Sequence, residues 1–106
     1  AHPGFYDNFD IIDELIKHEL DGIEVWHPEN SEEQTEELIK IAKKHNLLMT
    51  GGSDFHGAYS AKVTHLGEYV TPDENLTALL GYQAKQRRAR KKAAKEAAAA
   101  QENAAD

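Results

Sequence analysis

Segments with apolar residues at helical spacing alternate along this chain with short unbroken apolar runs. The spacing predicts a helix over residues 8–21, with Asn8 as its N-cap. A capping box at residues 31–34 predicts a second helix, which ends near residue 44. A capping box with proline at residues 71–74 opens a third helix.

Two apolar runs predict β-strands, at residues 23–26 and 47–50. The second run shows no polar alternation, which suits a strand covered on both faces. Residues 63–70 form a weaker strand or an extended loop. Strands that alternate with helices predict an α/β fold with parallel strands. Because two or three strands cannot close a barrel, we expect the carboxy-terminal piece of a larger α/β domain, whose other strands precede Ala1.

Charge and composition divide the chain after residue 82. The 106 residues include 12 Lys and Arg against 19 Asp and Glu, yet residues 83–106 carry seven basic and three acidic residues together with ten Ala. We therefore expect residues 1–82 to form the domain segment. Residues 83–106 form a basic, Ala-rich tail that is helical or disordered, and Gly81 either ends the third helix or weakens it before this tail.

The chain contains no Cys and no apolar run long enough to cross a bilayer. Disulfide scaffolds, thiolate metal sites and Cys nucleophiles are therefore excluded for these residues, as is a transmembrane segment. The absence of Cys is compatible with a reducing compartment. We expect a cytoplasmic protein that does not use a membrane as a partner.

The segment Gly-Gly-Ser-Asp-Phe-His-Gly at residues 51–57 carries the most chemical information. It would lie at the carboxyl end of a parallel strand, where α/β folds collect their ligands. In an extended chain, Asp54 and His56 point to the same side, so they can bind one divalent cation or two adjacent ones. The alternative is a polar strand end, in which Asp54 caps a turn and His56 is solvated.

Two further His residues each precede a proline. Pro3 biases His2 toward an extended conformation, and His27 directly follows the strand at residues 23–26. Three segments therefore place His or Asp at the carboxyl ends of successive βα units, which predicts a shared metal site. Glu24, inside the strand, faces either solvent or a polar interior.

Two basic features have both a functional and a simpler interpretation. Lys62 can contact an anionic substrate, although a solvated loop lysine is the simpler interpretation. The basic run at residues 85–95 can attract nucleic acid electrostatically, but no aromatic residues are interleaved with it for stacking bases. A solvated helix is therefore the favoured interpretation of this run.

Taken together, three motifs resemble the last third of a PHP domain, the polymerase and histidinol phosphatase family. They are Ala-His-Pro-Gly at residues 1–4, Asp-Gly-Ile-Glu-Val with His-Pro at residues 21–28, and Thr-Gly-Gly-Ser-Asp-Phe-His-Gly at residues 50–57. Their order and spacing are most similar to the stand-alone bacterial phosphoesterases of the family. The resemblance covers about residues 1–80.

The resemblance implies a distorted (β/α)7 barrel with two or three divalent metals at the carboxyl edge of its strands. Manganese, iron and zinc are the metals it implies. By position, His2, Asp54 and His56 match metal ligands of the family. Asp54 and His56 are also the implied catalytic residues, since His56 or an amino-terminal His of the family can protonate the leaving oxygen. His27 does not match a ligand of the family and is expected either to contact a metal ligand or to contact substrate, and Lys62 is expected to contact substrate.

The implied function is hydrolysis of a phosphate ester by a metal-activated water. The candidate substrates are a nucleotide, a short RNA end or a small phosphorylated metabolite. One alternative is a histidinol-phosphatase-like enzyme, and another is a non-catalytic structural or nucleic-acid-binding module. Because the family's amino-terminal ligands are not among these residues, we expect the chain alone to be inactive. We also expect it to need the missing amino-terminal half as a partner, and to self-associate through unpaired strand edges.

Overall fold

The computed structural model describes residues 1–105 and has a mixed α/β architecture. In chain order its elements are a 3-10 turn (Pro3–Tyr6), α1 (Asp10–Lys17), β1 (Gly22–Trp26), α2 (Glu32–Lys44), β2 (Leu48–Gly51) and α3 (Asp73–Ala105). Helices alternate with strands, as the sequence predicts. Among the described residues, no helix is both long enough and apolar enough to cross a membrane.

The two strands pair in parallel and form the centre of the first of two compact units. This unit comprises Ala1–Leu76, and a second begins at Thr77. Gly22 pairs with Leu48 and Glu24 with Thr50, and the register shifts between Glu24 and Trp26. Both predicted strands are therefore present, and together they make up the whole sheet within the described part of the chain.

The helix α2 forms where the sequence predicts it, because its first turn is capped twice. The Ser31 hydroxyl accepts a hydrogen bond from the Gln34 backbone N–H (3.1 Å), and the Gln34 side-chain oxygen accepts one from the Ser31 backbone N–H (2.9 Å). Acidic residues occupy the first turn and two Lys the last, as the helix dipole favours. This reciprocal cap fixes where the chain leaves the carboxyl end of β1 and enters the helix.

The core lies between the sheet and helices α1 and α2. Its buried apolar side chains are Ile12 of α1, Ile23 and Val25 of β1, and Leu38 and Ala42 of α2. Val25 and Leu38 are completely buried. Ile23 and Val25 alternate with less buried neighbours along β1, so this strand turns one face to the core and the other, with Glu24, away from it.

The helix α1 is shorter than the sequence predicts. It begins at Asp10 after Phe9, which makes no side-chain capping bond, so the predicted cap at Asn8 is wrong. It ends at Lys17 because Glu19 takes a left-handed conformation (φ 64°), after which the backbone N–H of Leu20 bonds back to the carbonyl of Leu15.

The strand or extended segment expected at residues 63–70 forms no strand. Val63 and Val70 are exposed, and within the described residues this stretch pairs with neither β1 nor β2. The predicted capping box at residues 71–74 is also wrong, since α3 begins at Asp73 and the Thr71 hydroxyl bonds the backbone of Gly51 instead (2.9 Å from its N–H). A Cβ on Gly51 would lie 2.8 Å from the Val70 carbonyl carbon, so this close approach requires glycine.

The helix α3 continues through Gly81, which neither ends nor interrupts it. Every side chain from residue 83 to residue 104 is exposed. This agrees with a basic, Ala-rich segment that has nothing large to bury, and helix propensity alone accounts for its helical form. The domain boundary predicted after residue 82 stays a prediction.

We predict that Leu38→Ala destabilises the first unit by about 2–5 kcal/mol, because it leaves a cavity beneath the sheet. Urea unfolding followed by the fluorescence of Trp26, the only Trp, measures this loss next to the core. Lys40→Ala, an exposed position on the same helix, is the matched control and should change stability by less than about 0.5 kcal/mol. Equal effects of the two substitutions would contradict this account of the core.

Candidate metal and phosphate site

The site lies where both parallel strands end at the same edge of the sheet. His27 directly follows β1, and the segment that contains Asp54 follows β2. The Gly52 backbone N–H donates a hydrogen bond to the Trp26 carbonyl (3.0 Å), which continues the contact between the two segments past the end of β2. His27 and Asp54, 27 positions apart in the sequence, are thereby brought into contact.

Two imidazoles and one carboxylate meet at this edge. The Asp54 Oδ2 atom lies 2.9 Å from Nε2 of His27 and 3.4 Å from Nε2 of His2. The two rings lie side by side with their centroids 4.5 Å apart. His27 is only 2% exposed, whereas about half of the Asp54 side chain is open to solvent. The cluster therefore has a buried imidazole and an accessible carboxylate.

Glu24 joins this cluster. The sequence alone did not decide whether its side chain faces solvent or a polar interior. Its carboxylate accepts a hydrogen bond from the backbone N–H of His2 (3.0 Å). His2, Glu24 and His27 each offer one ligand atom, and these atoms lie within 4.8 Å of one another. The sequence feature that could have identified Glu24 as a site residue is a carboxylate in the middle of an apolar strand, on the face opposite Ile23 and Val25.

A buried asparagine that sequence reasoning missed holds the amino-terminal segment in place. The Asn30 amide donates hydrogen bonds to the carbonyls of Glu24 (3.2 Å) and Val25 (2.8 Å), and its oxygen accepts one from the Gly4 backbone N–H (2.8 Å). A Cβ on Gly4 would lie 2.6 Å from this oxygen, so a larger residue would force the Asn30 side chain to shift. Asn30 thus ties the segment containing His2 to β1.

The backbone conformations of two site residues differ from those expected. His2, expected to be extended before Pro3, has φ 23° and ψ 66°, because its N–H bonds Glu24 and its carbonyl accepts a hydrogen bond from the Phe5 N–H (3.1 Å). Asp54 has a left-handed φ of 50°, so the extended alternation expected for residues 54–56 is wrong. Such conformations cost about 1–3 kcal/mol each and persist only where surrounding contacts enforce them.

His56 and Lys62 line the same cavity as the cluster. The cavity has a volume of about 240 Å³, and its walls include His2, His27 and Asp54. The Lys62 Nζ atom lies 2.7 Å from a Glu29 carboxylate oxygen, and two thirds of the lysine side chain is exposed. Unlike the other predicted ligands, His56 makes no side-chain hydrogen bond within the described residues and shares only the cavity with them.

The residues present fit a divalent cation. The Nδ1 atom of His2 is buried and has no hydrogen-bond partner among the described residues, an arrangement that costs free energy unless something binds there. Imidazole nitrogens and carboxylate oxygens are ligands that zinc and manganese accept. His2 and Glu24, with the Asp54 carboxylate 3.4 Å from the His2 ring, therefore offer donor atoms of the kind that a divalent cation binds.

The chain is similar in sequence to known proteins. The chain is 37% identical over 67 residues to a phosphoribosyl 1,2-cyclic phosphate 1,2-diphosphodiesterase of Eggerthella lenta, a match that covers 63% of this chain and 25% of the relative. It also matches a solved structure from Bifidobacterium adolescentis, assigned as a metal-dependent phosphoesterase, with 48% identity and a TM-score of 0.57. That match covers 65% of this chain and 23% of the other. No family model matches the chain.

These similarities confirm the resemblance drawn from the motifs. Over about two thirds of its length, the chain is homologous to proteins named as a phosphodiesterase and a phosphoesterase. It spans about a quarter of the length of these two relatives.

We predict that Asn30→Ala loosens the segment that carries His2, because it leaves the Gly4 N–H and the Val25 carbonyl without their buried partner. Each such group costs about 1–3 kcal/mol. Amide hydrogen exchange at Gly4 should accelerate at least about tenfold, while Asn8→Ala, an exposed position in the same segment, should leave it unchanged. Unaltered protection of Gly4 in Asn30→Ala would refute the positioning role of Asn30.

Proposed function

We propose that this chain supplies part of the divalent-metal centre of a phosphoesterase that hydrolyses phosphate esters. The observation that carries the proposal is that His2 contacts both Asp54 and Glu24 at one sheet edge, while its buried Nδ1 has no hydrogen-bond partner within the described part of the chain. The homology to phosphoesterases supports the same chemistry. The complete domain is a distorted (β/α)7 PHP barrel in this proposal, and β1 and β2 are two of its neighbouring strands.

The roles of the residues follow from their places around the cavity. His2, Asp54 and His56 bind the metals, and Glu24 joins them as a further carboxylate. When bound, two or three ions of manganese, iron or zinc supply a water nucleophile at neutral pH and polarise the phosphoryl oxygens. His56 lines the cavity and has no side-chain hydrogen bond to any described residue, so its ring is available to give a proton to the leaving oxygen.

The substrate in this proposal is a small phosphorylated compound or a nucleotide, with a short RNA end as a further candidate. The name of the relative from Eggerthella lenta includes a phosphoribosyl cyclic phosphate, which favours a small phosphorylated compound as the substrate. A nucleic-acid-binding module based on residues 85–95 is less well supported, because that run contains no aromatic side chain for base stacking. The cytoplasmic location remains part of the proposal.

The chain alone should lack phosphatase activity in this proposal. A centre of two or three ions needs more protein ligands than the His2, Glu24 and Asp54 cluster brings together. The remaining ligands would come from an amino-terminal portion of the domain. This amino-terminal portion would cover the unpaired edges of the two-stranded sheet. Without it, isolated copies of the chain would self-associate through the same edges.

We predict that the chain binds Zn²⁺ or Mn²⁺ saturably, and that His2→Ala and Asp54→Ala each weaken binding at least about tenfold. A ligand loss should cost no less than the 10–100-fold typical of residues that only support ligands. Isothermal titration measures the affinities, with His56→Ala included to test whether His56 reaches the same ion. The control is His45→Ala, an exposed His at the end of α2. Equal affinity in all variants would contradict the proposed centre.

We predict that Lys62 contributes to phosphate binding and that Glu29 competes for it. Titration of the Zn²⁺-loaded chain with inorganic phosphate, followed by ³¹P NMR, should show about 3–10-fold weaker binding for Lys62→Met, as expected for loss of one charged contact. Glu29→Gln should strengthen binding, because it releases the lysine from its ion pair. Lys40→Met is the control for loss of one positive charge. Indistinguishable affinities for Lys62→Met and Lys40→Met would remove Lys62 from the site.

A further inference from the structure

His27 is the most deeply buried side chain of the site, and its two ring nitrogens have different partners. The Nδ1 atom lies 3.0 Å from the backbone nitrogen of Glu29, and Nε2 lies 2.9 Å from Oδ2 of Asp54. A backbone N–H can only donate, so Nδ1 must accept and carries no proton. A neutral imidazole keeps one proton, which is therefore on Nε2 and is donated to Asp54.

This arrangement of hydrogen bonds leaves His27 with no lone pair for a metal. The lone pair of Nδ1 is directed to the Glu29 N–H, and Nε2 carries the proton. A metal needs a deprotonated ring nitrogen with its lone pair available. His27 thus lies within ligand distance of His2 and Glu24, yet is held in the tautomer that cannot coordinate.

The local backbone makes this tautomer difficult to change. Glu29 lies in a tight turn in which the Asn30 backbone N–H bonds the His27 carbonyl (3.0 Å), and Asn30 is itself buried and bonded to β1. The donor to Nδ1 is therefore fixed in position. The imidazole is 2% exposed and lies against the ring of His2, so it cannot turn over without displacing its neighbours.

We propose that His27 is a positioning residue, whose Nε2–H holds the Asp54 carboxylate beside His2, where that carboxylate can bind the cation. His2 differs from it, because its buried Nδ1 has no partner among the described residues. The proposal rests on the proposed metal centre for the identity of the cation. It adds that the two adjacent imidazoles have opposite roles, one as ligand and one as hydrogen-bond donor to a ligand.

The direct test is ¹⁵N NMR of the imidazole rings in the full chain, recorded without metal and with Zn²⁺. We expect the His27 ring to show the pattern of a neutral, Nε2-protonated tautomer in both spectra, while a ring nitrogen of His2 shifts on addition of Zn²⁺. A proton on Nδ1 of His27, or a metal-induced shift of its Nε2 comparable with that of His2, would overturn the proposal. This measurement needs no substitution and no catalytic activity.

A second arm compares Zn²⁺ affinities of His27→Gln and His27→Ala. Gln can still donate an N–H to Asp54, so we expect His27→Gln to stay within about threefold of the unsubstituted chain. We expect His27→Ala to lose about 10–100-fold, as for residues that orient metal ligands. Equal, large losses in both folded variants would make His27 a ligand and overturn the proposal. If the chain binds no Zn²⁺, the proposed metal centre fails, and the metal-free spectrum still decides which atom of His27 donates.

Discussion

The parallel pairing of β1 with β2 is the constraint on which the rest of the site depends. Parallel strands end at one edge, so the residues that follow each strand must meet there. The hydrogen bond from Gly52 to the Trp26 carbonyl continues this pairing past the last residue of β2. His27 and Asp54 are in contact because of this topology. An antiparallel pair would have placed them at opposite ends of the sheet.

The amino-terminal segment reaches the same edge through polar contacts. Asn30 and Glu24 bond the backbone of Gly4 and His2, respectively, and neither contact depends on apolar burial. Two backbone conformations with positive φ, at His2 and Asp54, occur where side chains point into the site. Their conformational cost fits a site that surrounding hydrogen bonds hold in one arrangement, as in many functional sites.

Local sequence signals predict much of the fold but only part of the site. The reciprocal cap of α2 and the two apolar runs each have a local physical cause, so their positions could be predicted. Thr71 could not be assigned correctly, since its hydroxyl bonds the distant Gly51 in place of its own helix. The role of Asn30 could not be predicted from the sequence either, because its three backbone partners come from two separate segments.

Glu24 and His27 show why side-chain roles need coordinates. Alternation along β1 places Glu24 opposite the core, but only the fold shows that His2 lies on that side. Likewise, a His after a strand end has the sequence signature of a ligand. The Glu29 N–H, two residues further on, restricts the His27 ring to donating from Nε2. Such hydrogen-bond directions depend on turn geometry, which periodicity does not encode.

The central claim is that residues distant in sequence form one cation site at the shared edge of β1 and β2. Paramagnetic broadening of amide resonances by substoichiometric Mn²⁺ in the full chain tests it most directly. The account predicts that signals near residues 2, 24 and 54 broaden together at the lowest Mn²⁺ concentration, before those near the acidic first turns of α1 and α2. Broadening that begins at these helix turns, with His2 and Asp54 unaffected, would contradict it.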